Sequence, residues 1–285
     1  MIHITKSVKM GHDTFPINLE VVDNGWEVVD LSSTRRLTDE RFRSEADFTK
    51  DLKESFYGVR NISDAYQLMR SGCPEITKEL KDYESKINLS GESKRVRFQN
   101  DIVGFAPVVP LAMQGVPNCM SNCEYKSMKN KVINVYYEMG ASARYEPSDF
   151  RKGGCKLLGA LMKLEMSGYR FNLYGFASFY RHGEGADMLI IKLKDARQPF
   201  DLQRLSFPLA HSGFFRTITW DWYFKVPGGK YRVGLGQPMG ASFDSEELAQ
   251  GFESLFHQKC VALTLQKIIQ TGDEELKKAL SGGNA

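Results

Sequence analysis

Val132-Ile133-Asn134-Val135-Tyr136-Tyr137-Glu138, then Pro147-Ser148-Asp149 opening a stretch that closes at Gly168, then Tyr169-Arg170-Phe171-Asn172-Leu173-Tyr174-Gly175-Phe176: this succession decides the fold. The two flanking runs are rich in β-branched and aromatic residues. The segment between them places Leu157, Leu158, Leu161, Met162 and Leu164 at the three-to-four spacing of a helix. A strand, a helix of about 18 residues and a second strand form a βαβ crossover, which implies parallel pairing. Working outward, Met188-Leu189-Ile190-Ile191-Lys192-Leu193 reads as a third strand, residues 201–210 as a helix, and Trp220-Asp221-Trp222-Tyr223-Phe224-Lys225-Val226 as a fourth strand. A single long helix is expected over residues 245–271. Strands alternating with helices predict an α/β domain of three layers around a mostly parallel sheet.

Upstream of the crossover the pattern is less regular. Thr14-Phe15-Pro16-Ile17-Asn18-Leu19-Glu20-Val21-Val22 alternates, Asp23-Asn24-Gly25 signals a turn, and Trp26-Glu27-Val28-Val29 completes an expected N-terminal hairpin. Helices are expected from Ser63 to Gly72 and over residues 74–89, where Ile76, Leu80, Tyr83 and Ile87 share a face. Arg95-Val96-Arg97-Phe98-Gln99 alternates like a strand. Residues 104–120 hold three prolines and read as a fixed loop with at most one helical turn. The expected organisation is therefore an N-terminal part, residues 1–125, with hairpin, helices and proline-rich loop, packed on an α/β core at residues 126–285.

Composition excludes several classes. The chain has 285 residues, 42% hydrophobic and 26% charged, with only 25 Gly and 10 Pro, so it is neither collagenous nor of low complexity. A mean hydropathy of −0.37 and the lack of any apolar run near the length of a membrane span argue against a transmembrane protein. No apolar signal-peptide region follows Met1, and five cysteines fit a reducing compartment, so a cytoplasmic location is expected.

The net charge of +3 conceals a block. Residues 126–232 carry 18 Lys and Arg against 9 Asp and Glu, a net of +9, while residues 1–125 and 233–285 each carry a net of −3. The basic block is also rich in aromatics, which is the pattern of a surface that holds phosphates and stacks bases. Alternation would place Trp220, Trp222 and Phe224 on one face of the expected strand and Asp221, Tyr223 and Lys225 on the other. Only one of those faces can be core.

Catalytic chemistry finds less support. Beyond the first core strand, Glu138, Gly140 and Ser142 stand where a von Willebrand A-type domain carries its Asp-x-Ser-x-Ser metal motif, and only one hydroxyl survives. A hard divalent cation wants more oxygens than this. Cys119 and Cys123 could form half of a zinc site, but His182, His211, Cys155 and Cys260 offer no second pair. No glycine-rich phosphate loop and no Gly-x-Ser-x-Gly elbow occurs.

Several segments together resemble a family of phage proteins of unknown function. They are Ile62-Ser63-Asp64-Ala65 with Ser71-Gly72-Cys73-Pro74-Glu75, residues 104–120, the strand–helix–strand of residues 132–176, and Lys192-Leu193-Lys194-Asp195-Ala196 through Leu205-Ser206-Phe207-Pro208-Leu209-Ala210-His211. The resemblance spans residues 55–225 and implies a von Willebrand A-like or Rossmann-like core with an eroded metal motif. Within it, the chain is similar to the single-stranded-DNA-binding transcription activators of N-four-like podophages. That similarity implies single-stranded DNA as ligand, a phage RNA polymerase as partner and the host cytoplasm as location, and it carries no site residue across.

Together these readings lead to the expectation of a non-enzymatic, single-stranded nucleic-acid-binding phage protein without cofactor or metal. Arg95, Arg97, Lys225, Lys230 and Arg232 are the expected phosphate contacts, with Trp222 and Tyr223 as stacking platforms. The rival expectations are a protein-interaction or virion-assembly module, and a hydrolase or nuclease that would need a metal site.

Overall fold

A computed structural model describes residues 1–10, 13–35, 53–86, 97–104, 106–124, 131–181, 185–226 and 244–281. In chain order these form β1 (Ile2–Met10), β2 (Asp13–Val22), α1 (Gly25–Thr34), α2 (Glu54–Tyr57), α3 (Ile62–Ser71), α4 (Pro74–Lys86), β3 (Arg97–Asp101), β4 (Ala106–Pro107), α5 (Val109–Met113) and β5 (Met120–Glu124). There follow β6 (Val132–Glu138), α6 (Pro147–Met166), β7 (Arg170–Arg181), β8 (Gly185–Lys194), α7 (Leu202–Ala210) and a π-helical segment (Phe214–Thr219) that continues into α8 (Trp220–Lys225). The chain then runs through α9 (Ser245–Phe256), β9 (Cys260–Leu263), α10 (Leu265–Gln270) and α11 (Asp273–Leu280).

The crossover is the frame of the molecule. Helix α6 starts at Pro147, where a missing N–H costs nothing, and Glu146 and Asp149 cap each other's backbone amides. It ends at Gly168, whose φ of +95° suits glycine alone at little cost. Its buried face, with Phe150, Leu157, Leu158, Leu161 and Leu164, lies over the sheet, and β6 and β7 pair in parallel on either side of the crossover.

Six strands form one sheet in the order β1-β2-β8-β7-β6-β9. The β2–β8, β6–β7 and β6–β9 pairs are parallel, and β1–β2 and β7–β8 are antiparallel. The α/β class holds, and the sheet is mixed rather than mostly parallel. The reason lies between β7 and β8. Strand β7 ends at Arg181 and β8 begins at Gly185, and three residues cannot span the crossover that parallel neighbours need.

Each face of the sheet carries its own apolar cluster. On one, Val135, Tyr137, Leu173, Ala177, Leu189 and Ile191 pack under α6, α7, α1 and the π-helix–α8 segment. On the other, Val8, Ile17, Leu19, Tyr136, Phe176, Met188 and Ile190 surround Leu248 and Phe252 of α9, which touches both edge strands β1 and β9. A second, small sheet, β3-β5-β4, forms from residues 97–124.

Several sequence expectations are corrected. The N-terminal hairpin pairs β1 with β2, and Trp26-Glu27-Val28-Val29 lies in α1. Asn24 is a helix N-cap whose side chain accepts the Glu27 amide at 3.0 Å, so the Asp-Asn-Gly signal marks a cap rather than a hairpin turn. The expected strand at residues 220–226 is also helical. Its alternation of Trp220, Trp222 and Phe224 with Asp221, Tyr223 and Lys225 imitates a strand, but Asp221 and Lys225 pair across one helical turn. Every residue from Trp220 to Phe224 is buried, so the helix lies within the core with its one buried acid, Asp221, matched by Lys225. Thr219 in the preceding π-turn donates its hydroxyl to the Phe215 carbonyl at 2.6 Å, which satisfies that buried polar group locally. The expected C-terminal helix breaks at His257, which adopts φ +55°, and β9 then adds to the edge of β6.

Candidate nucleic-acid interface

The residues chosen from sequence do not converge. Arg95, Lys230 and Arg232 lie outside the described residues. Arg97 is in β3 of the small sheet, whereas Trp222, Tyr223 and Lys225 are in α8. Trp222 is 1% exposed, and its indole N–H donates to Glu20 Oε2 at 2.7 Å. Arg35 completes that carboxylate with two further bonds of 2.8 and 2.9 Å. Tyr223 is 0% exposed and stacks on Phe179 with ring centres 4.0 Å apart. Neither ring can receive a base, which corrects the stacking assignment. Lys225 pairs with Asp221 one helical turn away, at 2.8 Å, on the helix that replaced the expected strand.

Part of the basic block is neutralised in space. Arg151 pairs with Glu75 and Glu79 of α4, Lys156 with Asp273 of α11, and Lys194 with Glu165 at 2.6 Å in a buried pair. Arg216 is buried in the π-helix, where it donates to the carbonyls of Phe56 and Tyr145 and lies between the rings of Phe56 and Phe150. Burial lowers its pKa to about 10.

Four cations of the block gather where β2 and β8 end, the edge at which α/β sheets tend to bind ligands. A cleft of about 470 Å³ is lined there by Asp23, Lys192, Lys194, Asp195, Arg197 and Arg204 among others. The β8–α7 turn is locked by Asp195. Its carboxylate accepts the Arg197 amide at 3.0 Å and the Lys192 ammonium at 2.8 Å, while its own amide donates to Gln198 Oε1 at 3.0 Å. The bond from Lys192, then that from the Arg197 amide, holds the Asp195 pKa below its ordinary value, and the same pairing raises that of Lys192. Asn172 on β7 accepts the Ala196 amide at 2.9 Å and fixes the turn to the sheet. This fixed turn presents Arg197, which is 96% exposed. Helix α7, N-capped by Asp201, presents Arg204 from its first turn, also exposed.

Beside the cleft, on the α9 face, runs a ladder of rings. Tyr136 is buried and stacks on Phe252 at 4.4 Å and on Tyr174 at 4.7 Å, with interplanar angles of 17° and 12°. Tyr174 is half-buried, and its partner across the β7–β8 pairing is Lys192. Neither Tyr174 nor the Arg197–Arg204 pair is among the sequence choices. The available signal was Lys192-x-Lys194-Asp195-x-Arg197 at the end of a core strand, cations alternating and then turning.

The opposite edge holds the eroded metal position. Glu138 is largely buried at the end of β6, where Ser178 donates to it at 3.3 Å and burial raises its pKa to about 7. Gly140 sits against the Phe215 ring, and Ser142 is exposed. Among the described residues no group of three or more His, Cys, Asp and Glu side chains is assembled as a metal site. No helix among them is long and apolar enough to cross a membrane.

A mixed α/β sheet with a cation-lined cleft at the carboxyl ends of two parallel strands defines the class of this protein as far as its geometry goes. The chain belongs to the family described as domain of unknown function (DUF7192), which matches residues 20–259, from β2 through α9. No curated protein and no solved structure matches it.

Proposed function

We propose that the protein binds single-stranded nucleic acid without catalysis and holds the phosphate backbone in the cleft at the end of β8. The observation that carries this reading is the pair Arg197 and Arg204. They are two exposed guanidiniums on a rigid turn and a capped helix start; Arg197 makes only a long contact of 4.0 Å with Asp195, whereas Lys192 and Lys194 are held by carboxylates at 2.8 and 2.6 Å. Guanidinium suits phosphate because its planar donors match two oxygens at once. The resemblance to phage transcription activators extends the proposal: the bound strand is DNA, and a phage RNA polymerase is the partner brought to it in the host cytoplasm.

The second reading is a protein-interaction or virion-assembly module. It is favoured by the segment that carries the small sheet, where Ile102 just after β3 and Val109 and Met113 of α5 are 68, 58 and 84% exposed. Fluorescence anisotropy with labelled single- and double-stranded oligonucleotides separates the two. The proposal expects preference for the single strand and a fall in affinity of an order of magnitude or more from about 50 to about 200 mM salt. Absence of binding at low salt, with a stoichiometric protein complex instead, establishes the second reading.

A further inference from the structure

We propose that Tyr174 is the base-contacting residue of this interface, against which the base of a nucleotide packs while the Arg197 and Arg204 guanidiniums hold the phosphates. The inference rests on the nucleic-acid reading above and adds the element that reading lacks, a ring in reach of the cleft. The rings expected from sequence to do this, Trp222 and Tyr223, are core. Trp26 is partly exposed, but the Arg70 guanidinium already lies over its ring at 5.4 Å.

Three observations converge on Tyr174. Its ring is preorganised by Tyr136, stacked on one face at 4.7 Å, which is itself stacked on Phe252. Its partner across the antiparallel β7–β8 pairing is Lys192, which lines the cleft, so the ring and a cleft-lining side chain rise from neighbouring strands on the same face of the sheet. The charged groups that act on its phenol are those of Lys192, Asp195 and Asp23, all three of which line the cleft. Neighbouring polar groups are already committed. Asn172 donates to Asn134 at 3.0 Å and accepts from Ala196, so the shelf stays fixed when a ligand arrives. A ring held in place before binding loses little freedom on stacking, which is what makes such a platform effective and tolerant of base identity.

The test compares a single-stranded oligonucleotide with the same strand made abasic, using the full-length wild type, Tyr174→Leu and Tyr174→Phe. Wild type should favour the base-bearing strand by about tenfold, the size of one stacked base. Tyr174→Phe should keep that preference, and Tyr174→Leu should lose it while keeping the wild-type dependence of affinity on salt. A wild type that binds both strands equally overturns the inference and leaves phosphate binding in place, and that comparison needs no variant to fold. A Tyr174→Leu protein that retains the preference overturns it as well. A wild type that binds neither strand defeats the nucleic-acid reading itself.

Discussion

Replacing Glu138 by glutamine should stabilise the protein at neutral pH and leave it unchanged in mild acid. The carboxyl lies at the end of β6 with Ser178 as its hydrogen-bond donor, and burial raises its pKa from 4.5 to about 7. The folded state therefore holds this proton more tightly than the unfolded chain does. Stability from this group is full below pH 4.5, falls as pH rises through the window to 7, and is constant above it. The displacement corresponds to about 3 kcal/mol. Glutamine is neutral at every pH and can still accept the Ser178 hydroxyl, so the variant should exceed the wild type by about 3 kcal/mol at pH 8, or about 5 °C in Tm. At pH 4.5 the two should coincide. His211 acts in the opposite sense. Burial lowers its pKa to about 4, so its contribution is lost as pH falls from 6.5, equally in both proteins. In the wild type the two slopes oppose each other between pH 4.5 and 6.5, whereas in the variant stability should climb with pH across that range. Urea titrations at half-unit pH steps read this directly. A stability difference that stays the same from pH 4.5 to 8 would refute the argument, because a packing effect has no pH dependence.

Trp222→Phe should cost about 1–3 kcal/mol, since Glu20 loses a buried hydrogen bond, and should leave oligonucleotide affinity unchanged. Equal loss of stability and affinity in parallel binding and melting assays would restore the indole as a ligand platform. Gly154→Ala should destabilise by about 1–3 kcal/mol despite alanine's better helix propensity. A Cβ there would sit 2.3 Å from the Ala210 backbone, where α6 lies on α7, and thermal melts showing a gain would disprove that close approach. Lys194→Met should leave the salt dependence of binding unaltered, because its charge is already matched by Glu165. A shallower salt slope in this variant would show that the lysine reaches phosphate.

The crossover was legible because local and tertiary signals agree there. Pro147 and Asp149 start α6, Gly168 ends it, its apolar stripe has one period, and the strands on either side are rich in β-branched and aromatic residues. The 214–226 segment was not, because Asp221 and Lys225 interleaved with Trp220, Trp222 and Phe224 imitate a strand's period of two, although residues 214–224 are buried on every side. The spacing of Asp221 to Lys225 was the remaining helical cue. Charge misled in the same way. A count along the chain cannot show that Arg151 and Lys156 meet acids from α4 and α11, outside the basic block, or that Lys194 is committed to Glu165 at the end of α6. The cleft was half-visible, since the sequence rule that function gathers at strand ends pointed to the right kind of place. It took the β7–β8 pairing to bring Tyr174 beside Lys192.

The most direct test of phosphate binding at the β8 cleft is the slope of log Kd against log salt for a single-stranded oligonucleotide, measured on the wild type and on the Arg197→Ala/Arg204→Ala double variant. Two lost phosphate contacts should weaken binding and make the slope shallower by about 1.4. A double variant with wild-type affinity and slope would place the phosphates elsewhere and contradict the account.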